Sequence, residues 1–112
     1  MIVKKSESKK RENSPKCIVY EYEHKDKDVN IVIVELSGRY PDKGKVVNKI
    51  CKEIVLVIEG KGKVGIEDKE FLLVEGDSIL IKPNQKFFWE GEMKLAMVCH
   101  PSFDPNQHIE CG

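Results

Sequence analysis

Glu53 is the carboxylate in this chain best placed to do chemistry. It opens an apolar run, residues 53–58, in which alternation sets Glu53, Val55 and Val57 on one face and Ile54, Leu56 and Ile58 on the other. A carboxylate turned into a barrel costs energy unless it is paired, so Glu53 needs a partner. Lys49 is the candidate, four residues earlier and on the same face of a regular strand. So placed, Glu53 could ligate a metal, act as a base or accept a hydrogen bond; otherwise it is one half of a salt bridge at the barrel mouth. Cys51 shares its face by period two, and Asn48 comes near across a bulge. With His100 from the last strand, Cys51 and Glu53 would make a donor set that zinc and iron accept.

Phe87 and Trp89 fall on one face and Phe88 on the other. Either these rings fill the interior, as side chains often do in small barrels, or they floor an apolar pocket. A pocket with Asn48, Glu53 and Trp89 at its edge suits a sugar or another small organic molecule. His24 sits in a charged turn and His108 in the tail, and both read as solvent-exposed. A cysteine nucleophile at Cys51 or Cys99 would need an oriented imidazole beside it, which the spacing does not supply.

The elements that must position these residues are strands. After Pro15 the chain becomes short apolar runs separated by turn residues: 17–23, 30–36, 53–58, 63–66, 70–74, 78–81, 86–89 and 94–99. The separators include Gly60-Lys61-Gly62, Glu75-Gly76-Asp77, Pro83-Asn84-Gln85 and Glu90-Gly91-Glu92, and residues 37–44 read as a loop. Regular short strands with turn signals imply an all-β sandwich or barrel. No stretch offers a capped apolar stripe at helical period. Runs 53–58 and 31–34 are apolar on both faces, which points to a homodimer across the outer face. The alternative is a cover made by the chain's own N-terminal segment or tail.

The chain has 112 residues, with 19 basic and 19 acidic side chains and 40% hydrophobic residues. One domain with one modest core fits that length and composition. Zero net charge argues against a general nucleic-acid binder. No apolar run approaches the ~20 residues of a membrane-spanning helix. The charged start lacks the apolar stretch of a signal peptide, so a cytoplasmic protein is expected. Cys17, Cys51, Cys99 and Cys111 form no CxxC pair, and free thiols are expected in a reducing compartment. The expected division is a basic arm at 1–15, a barrel at 16–100 and a surface strap at 101–112. Lys4, Lys5, Lys9, Lys10, Arg11 and Lys16 make the arm basic, and residues 1–3 could add a short edge strand.

Two stretches carry a resemblance. Residues 44–60, GKVVNKICKEIVLVIEG, contain Glu53, six residues and Gly60; residues 76–89, GDSILIKPNQKFFW, run from Gly-Asp through a strand to a proline-bearing turn. In this order, with a hairpin between them, they resemble the two motifs of the cupin superfamily, and the likeness covers about residues 30–100. The resemblance implies a single-domain jelly-roll β-barrel. It also implies a divalent metal held by two histidines, a glutamate and a later histidine. Here the first two fall on Val47 and Lys49, or on Val46 and Asn48, and the last near Phe87. Only Glu53 survives, so the usual metal site is expected to be lost. Three functions follow: a metal-free barrel binding a sugar or sugar phosphate, a metal-dependent dioxygenase or isomerase using a non-standard site at Glu53, Cys51 and His100, or a structural dimerisation domain.

Overall fold

Val19, Val34, Leu95 and Val57 lie side by side on four neighbouring strands, and each is almost fully buried. That row is the centre of the core, and alternation along each strand builds the rest of it. The computed structural model describes residues 1–111; Gly112, the last residue of the expected strap, lies outside the described residues. The strands are β1 (Lys9–Ser14), β2 (Cys17–Tyr22), β3 (Asn30–Tyr40), β4 (Lys45–Asn48), β5 (Lys52–Ile66), β6 (Lys69–Val74), β7 (Ser78–Ile81), β8 (Phe87–His100) and β9 (His108–Cys111). All their pairings are antiparallel. The order β1-β2-β3-β8-β4-β9 runs along the sheet, and β5 adds to β8 while also carrying β6 and β7. The fold is the expected all-β jelly-roll barrel, a sheet curled around one core.

Two expected turns are not turns. Gly60-Lys61-Gly62 lies inside the 15 residues of β5, and Glu90-Gly91-Glu92 lies inside the 14 residues of β8. The glycines let these long strands pass close together while bending. Gly38, Gly91 and Gly62 are direct partners across β3, β8 and β5. A Cβ on Gly91 would sit 2.5 Å from the Gly62 Cα, and Gly91 has φ +140°. Gly91→Ala is therefore expected to lower stability by more than ~1 kcal/mol, read as a lower urea midpoint. The strand expected to stop at residue 36 continues to Tyr40 on β8, through Gly38, whose φ of +134° favours glycine.

Both termini join the sheet. The edge strand comes from Lys9–Ser14 rather than from residues 1–3, and Met1 and Ile2 are exposed. An all-polar strand gives no alternation signal, yet β1 needs none, since one of its faces meets solvent. The tail forms β9 on β4. Among the described residues neither terminal segment covers the outer face of the central strands, where Ile54 remains 55% and Leu80 46% exposed.

Candidate functional site

Glu53 lies on the inner face of β5, paired with Ile81 on β7 and Cys99 on β8. Its carboxyl is buried among apolar neighbours, and one oxygen, Oε1, accepts a hydrogen bond from Asn48 Nδ2. Burial raises its pKa from 4.5 to about 7, against the lowering effect of the Asn48 bond. The expected partner, Lys49, is exposed and turned away. Asn48 replaces it because β4 and β5 are separate strands, so period-two counting does not cross residues 49–51.

Asn48 is the junction of a directed network. Gln107 Oε1 accepts from the backbone N–H groups of Ile50 (3.0 Å) and Cys51 (3.3 Å), which fixes its amide orientation. Gln107 Nε2 then donates to Asn48 Oδ1 at 3.2 Å. An oxygen at that position can only accept, so His108 Nδ1, 2.8 Å away, carries the proton and donates. In the neutral ring Nε2 is then the acceptor, and Tyr40 Oη donates to it at 2.8 Å. Burial lowers the His108 pKa, with the Arg11 charge adding to the effect, so the neutral ring is favoured. Burial likewise pushes the Tyr40 hydroxyl up to about 12, keeping it a donor.

This network borders a cavity of about 50 Å³. Phe87, Trp89, Phe103, Leu95 and Met97 give it apolar walls, while Glu53, Tyr40, His108 and Arg11 supply polar groups. Apolar walls with a few converging polar groups are the lining typical of small-molecule sites, but those run to ~300–1,000 Å³, so the walls must move apart to admit a ligand. Phe87 and Trp89 meet edge to face, with centroids 6.4 Å apart. Arg11 reaches in from β1, bonded to Glu21 at 2.7 Å and lying 5.4 Å from the Phe103 ring centre. The rings thus line a cavity as well as packing the interior.

Sequence reasoning places Asn48, Glu53, Phe87 and Trp89 at one pocket; Glu53, Phe87 and Trp89 line the cavity, while Asn48 is buried behind Glu53 rather than on its wall. The same reasoning misses Arg11, Tyr40, Gln107 and His108. His108 is half-buried in the site rather than solvent-exposed, because Gln107 and β9 fold the tail back against β4. The Pro-Asn-Gln-His turn after Asp104, whose side chain accepts from Asn106 N–H, was the available signal.

The substitute metal set does not assemble. His100 is on the outer face opposite Lys52 and is bonded to the Asp28 carbonyl, whereas Glu53 faces inward. Strand alternation separates them. Cys51 is buried against Cys99 rather than lining the cavity; their hydrogen bond lowers the Cys51 thiol and raises that of Cys99. Among the described residues no three His, Cys, Asp or Glu side chains gather as a metal-holding group. The residues present do not fit the divalent ion that the cupin resemblance implies. Cys17, Cys51, Cys99 and Cys111 are all free thiols.

No protein-family model matches the chain, and no curated protein matches it. Solved structures do. Pac13, described as a nucleoside dehydratase, aligns with a TM-score of 0.89 at 17% identity, over 99% of this chain and 90% of that one. KdgF from Halomonas sp. aligns at 0.74 and 18% identity, over 95% of this chain and 97% of that one. An RmlC-like cupin from Shewanella frigidimarina aligns at 0.75 and 14% identity, over 90% of both chains. The chain has the cupin fold.

Within this fold Glu53, which the motif resemblance aligns with the glutamate, bonds an asparagine. Phe87, near the position of the later histidine, is a wall of the cavity.

Proposed function

We propose that the barrel binds a small organic molecule built on a sugar, a nucleoside above all, without the three-histidine metal site that the cupin resemblance implies. The observation that carries this reading is the ring-walled cavity closed at one side by the Tyr40–His108–Asn48–Glu53 network. Flat apolar rings suit a base or a sugar face. Tyr40 Oη, which can still accept, and Glu53 suit hydroxyl groups, and Arg11 suits a carbonyl or phosphate oxygen. Structures of a Streptomyces Pac13 with uridine, including a tyrosine-to-phenylalanine variant with a TM-score of 0.90 at 17% identity, add support for the nucleoside over a free sugar. A second copy of the chain is the macromolecular partner, and a cytoplasmic setting agrees with four free thiols.

The single tryptophan, Trp89, reports on the cavity directly. Titration with uridine, other nucleosides, free sugars and sugar phosphates is expected to change its emission for the nucleosides first. Arg11→Ala is expected to weaken that response about tenfold, as for loss of a charge-assisted hydrogen bond. Silence across the whole set would overturn the reading.

A second reading is an acid–base enzyme of isomerase or lyase type, favoured by the Glu53 carboxyl titrating near neutrality. Its oxygen not bonded to Asn48 is available to take or return a proton at a ligand carbon. Incubation of a bound nucleoside in D2O would then place deuterium on the sugar, and Glu53→Gln would abolish the exchange.

A further inference from the structure

The outer face of the sheet is apolar across five strands. Leu80, Ile54, Val98, Ile31 and Tyr22 are successive partners along one row over β7, β5, β8, β3 and β2. Leu56, Ala96, Ile33 and Tyr20 form the next row. Ile54, Leu56 and Leu80 are 55%, 45% and 46% exposed. Contiguous apolar surface on this scale marks an interaction site. Among the described residues nothing lies over it, since β1 extends the edge of the sheet and β9 pairs with β4.

Charge flanks these two rows unequally. At one end lie Lys52, paired with the His100 backbone, and Lys82 just past β7. Lys27 and Asp28, in the loop bonded to Ser102 and His100 at that end, cancel each other. At the other end the successive partners Glu59, Lys94, Glu35, Ile18 and Glu12 bring three carboxylates against one ammonium. The face is therefore apolar in the middle, positive at one end and negative at the other.

We propose that a second copy of the chain docks on this face about a two-fold axis that runs across the strands. Rotation about such an axis reverses strand direction. Apolar rows then meet apolar rows, and Lys52 and Lys82 of each copy meet Glu35 and Glu59 of the other. An axis along the strands would set like charges together instead, which disfavours that arrangement. Sheets packed face to face in this way bury both inner surfaces about 10 Å apart. The interface is isologous and closed, so it ends at a dimer. This inference does not depend on what the cavity binds.

Sedimentation velocity on the full chain tests it. The wild type is expected to be a dimer at micromolar concentration, and Ile54→Glu a monomer with unchanged circular dichroism and Trp89 emission. The double variant Lys52→Glu/Lys82→Glu is expected to weaken self-association about tenfold or more, as is Glu35→Lys/Glu59→Lys. Mixing the two variants is expected to restore dimers, because both ends of the mixed pair are then complementary. A monomeric wild type, or a dimer indifferent to Ile54→Glu, would overturn the proposal. Dimers lost with Ile54→Glu but unaffected by either charge reversal would overturn the proposed axis.

Discussion

Glu53→Gln is expected to make the protein more stable at about pH 8 by about 3 kcal/mol, and to change little at about pH 4.5. The folded value of the Glu53 carboxyl, about 7, stands above its ordinary 4.5 because burial disfavours the charge. Its neutral form therefore favours the fold. That contribution is fully present below the unfolded value and is lost as pH rises through about 7. Above that, the native state holds a buried carboxylate whose resolved protein bond is the one from Asn48. Glutamine keeps an acceptor for Asn48 and carries no charge. His108 has the opposite sign. Its pKa is lowered, so its contribution is present above its ordinary 6.5 and is lost as pH falls through the folded value. Both proteins contain His108, so their difference isolates Glu53. Urea unfolding followed by Trp89 emission, at one protein concentration and across this pH range, reads the result. A glutamine variant less stable than wild type at about pH 8 would show that the carboxylate is held in its charged form.

This prediction separates two uses of one position. As a metal ligand, Glu53 would be favoured charged, and glutamine would forfeit the ion. As a buried neutral acid it opposes the fold above neutrality, and its retention then points to the cavity. Active-site groups commonly carry such a penalty, because a pKa matched to the working pH serves proton transfer.

The barrel was legible in the sequence for a local reason. Alternation in residues 53–58, 78–81 and 94–99 reports inner and outer faces directly, and a sheet with one core must obey it. Glu53, Phe87 and Trp89 sit on such strands, so their common destination could be read. Turns were less legible, since Gly60 and Gly91 signal permissive backbone without saying whether the chain reverses or merely bends past a neighbour. The rest of the site was hidden because it arrives by tertiary routes. Arg11 comes from an edge strand with no apolar alternation, Tyr40 from beyond a glycine, and Gln107 and His108 from a tail with no period. None of these segments has a repeating pattern from which a direction could be inferred. The substitute metal set failed by the same rule that found Glu53: alternation puts Cys99 inward beside Glu53 and turns His100 outward.

Asn48→Ala is expected to lower stability by ~3 kcal/mol or more. The side chain is almost fully buried and satisfies three groups at once: the Glu53 carboxyl, the Gln107 amide and His108 Nδ1. Each group left unsatisfied in the interior costs ~1–3 kcal/mol, against a total that is rarely more than ~15 kcal/mol. Asn48→Asp removes less. It keeps an oxygen for Gln107 and His108 but replaces the donor facing Glu53 with a second acceptor. Two carboxyls in contact cannot both ionise easily, so the pair shares a proton and its upper apparent pKa is expected above the wild-type Glu53 value of about 7. Titration of the side-chain carboxyl carbons by NMR, with Glu53→Gln to assign them, measures that shift. The two variants also divide the network's roles. With alanine, nothing fixes the His108 tautomer, so Tyr40 can donate to His108 or accept from it. With aspartate, the Nδ1 proton keeps its acceptor and Tyr40 stays a donor. Nucleoside binding that survives aspartate and fails with alanine, at a pH where both variants are folded, would show that the network serves to orient Tyr40 toward the ligand through His108. Equal loss in both would place the requirement on the Glu53 carboxyl itself.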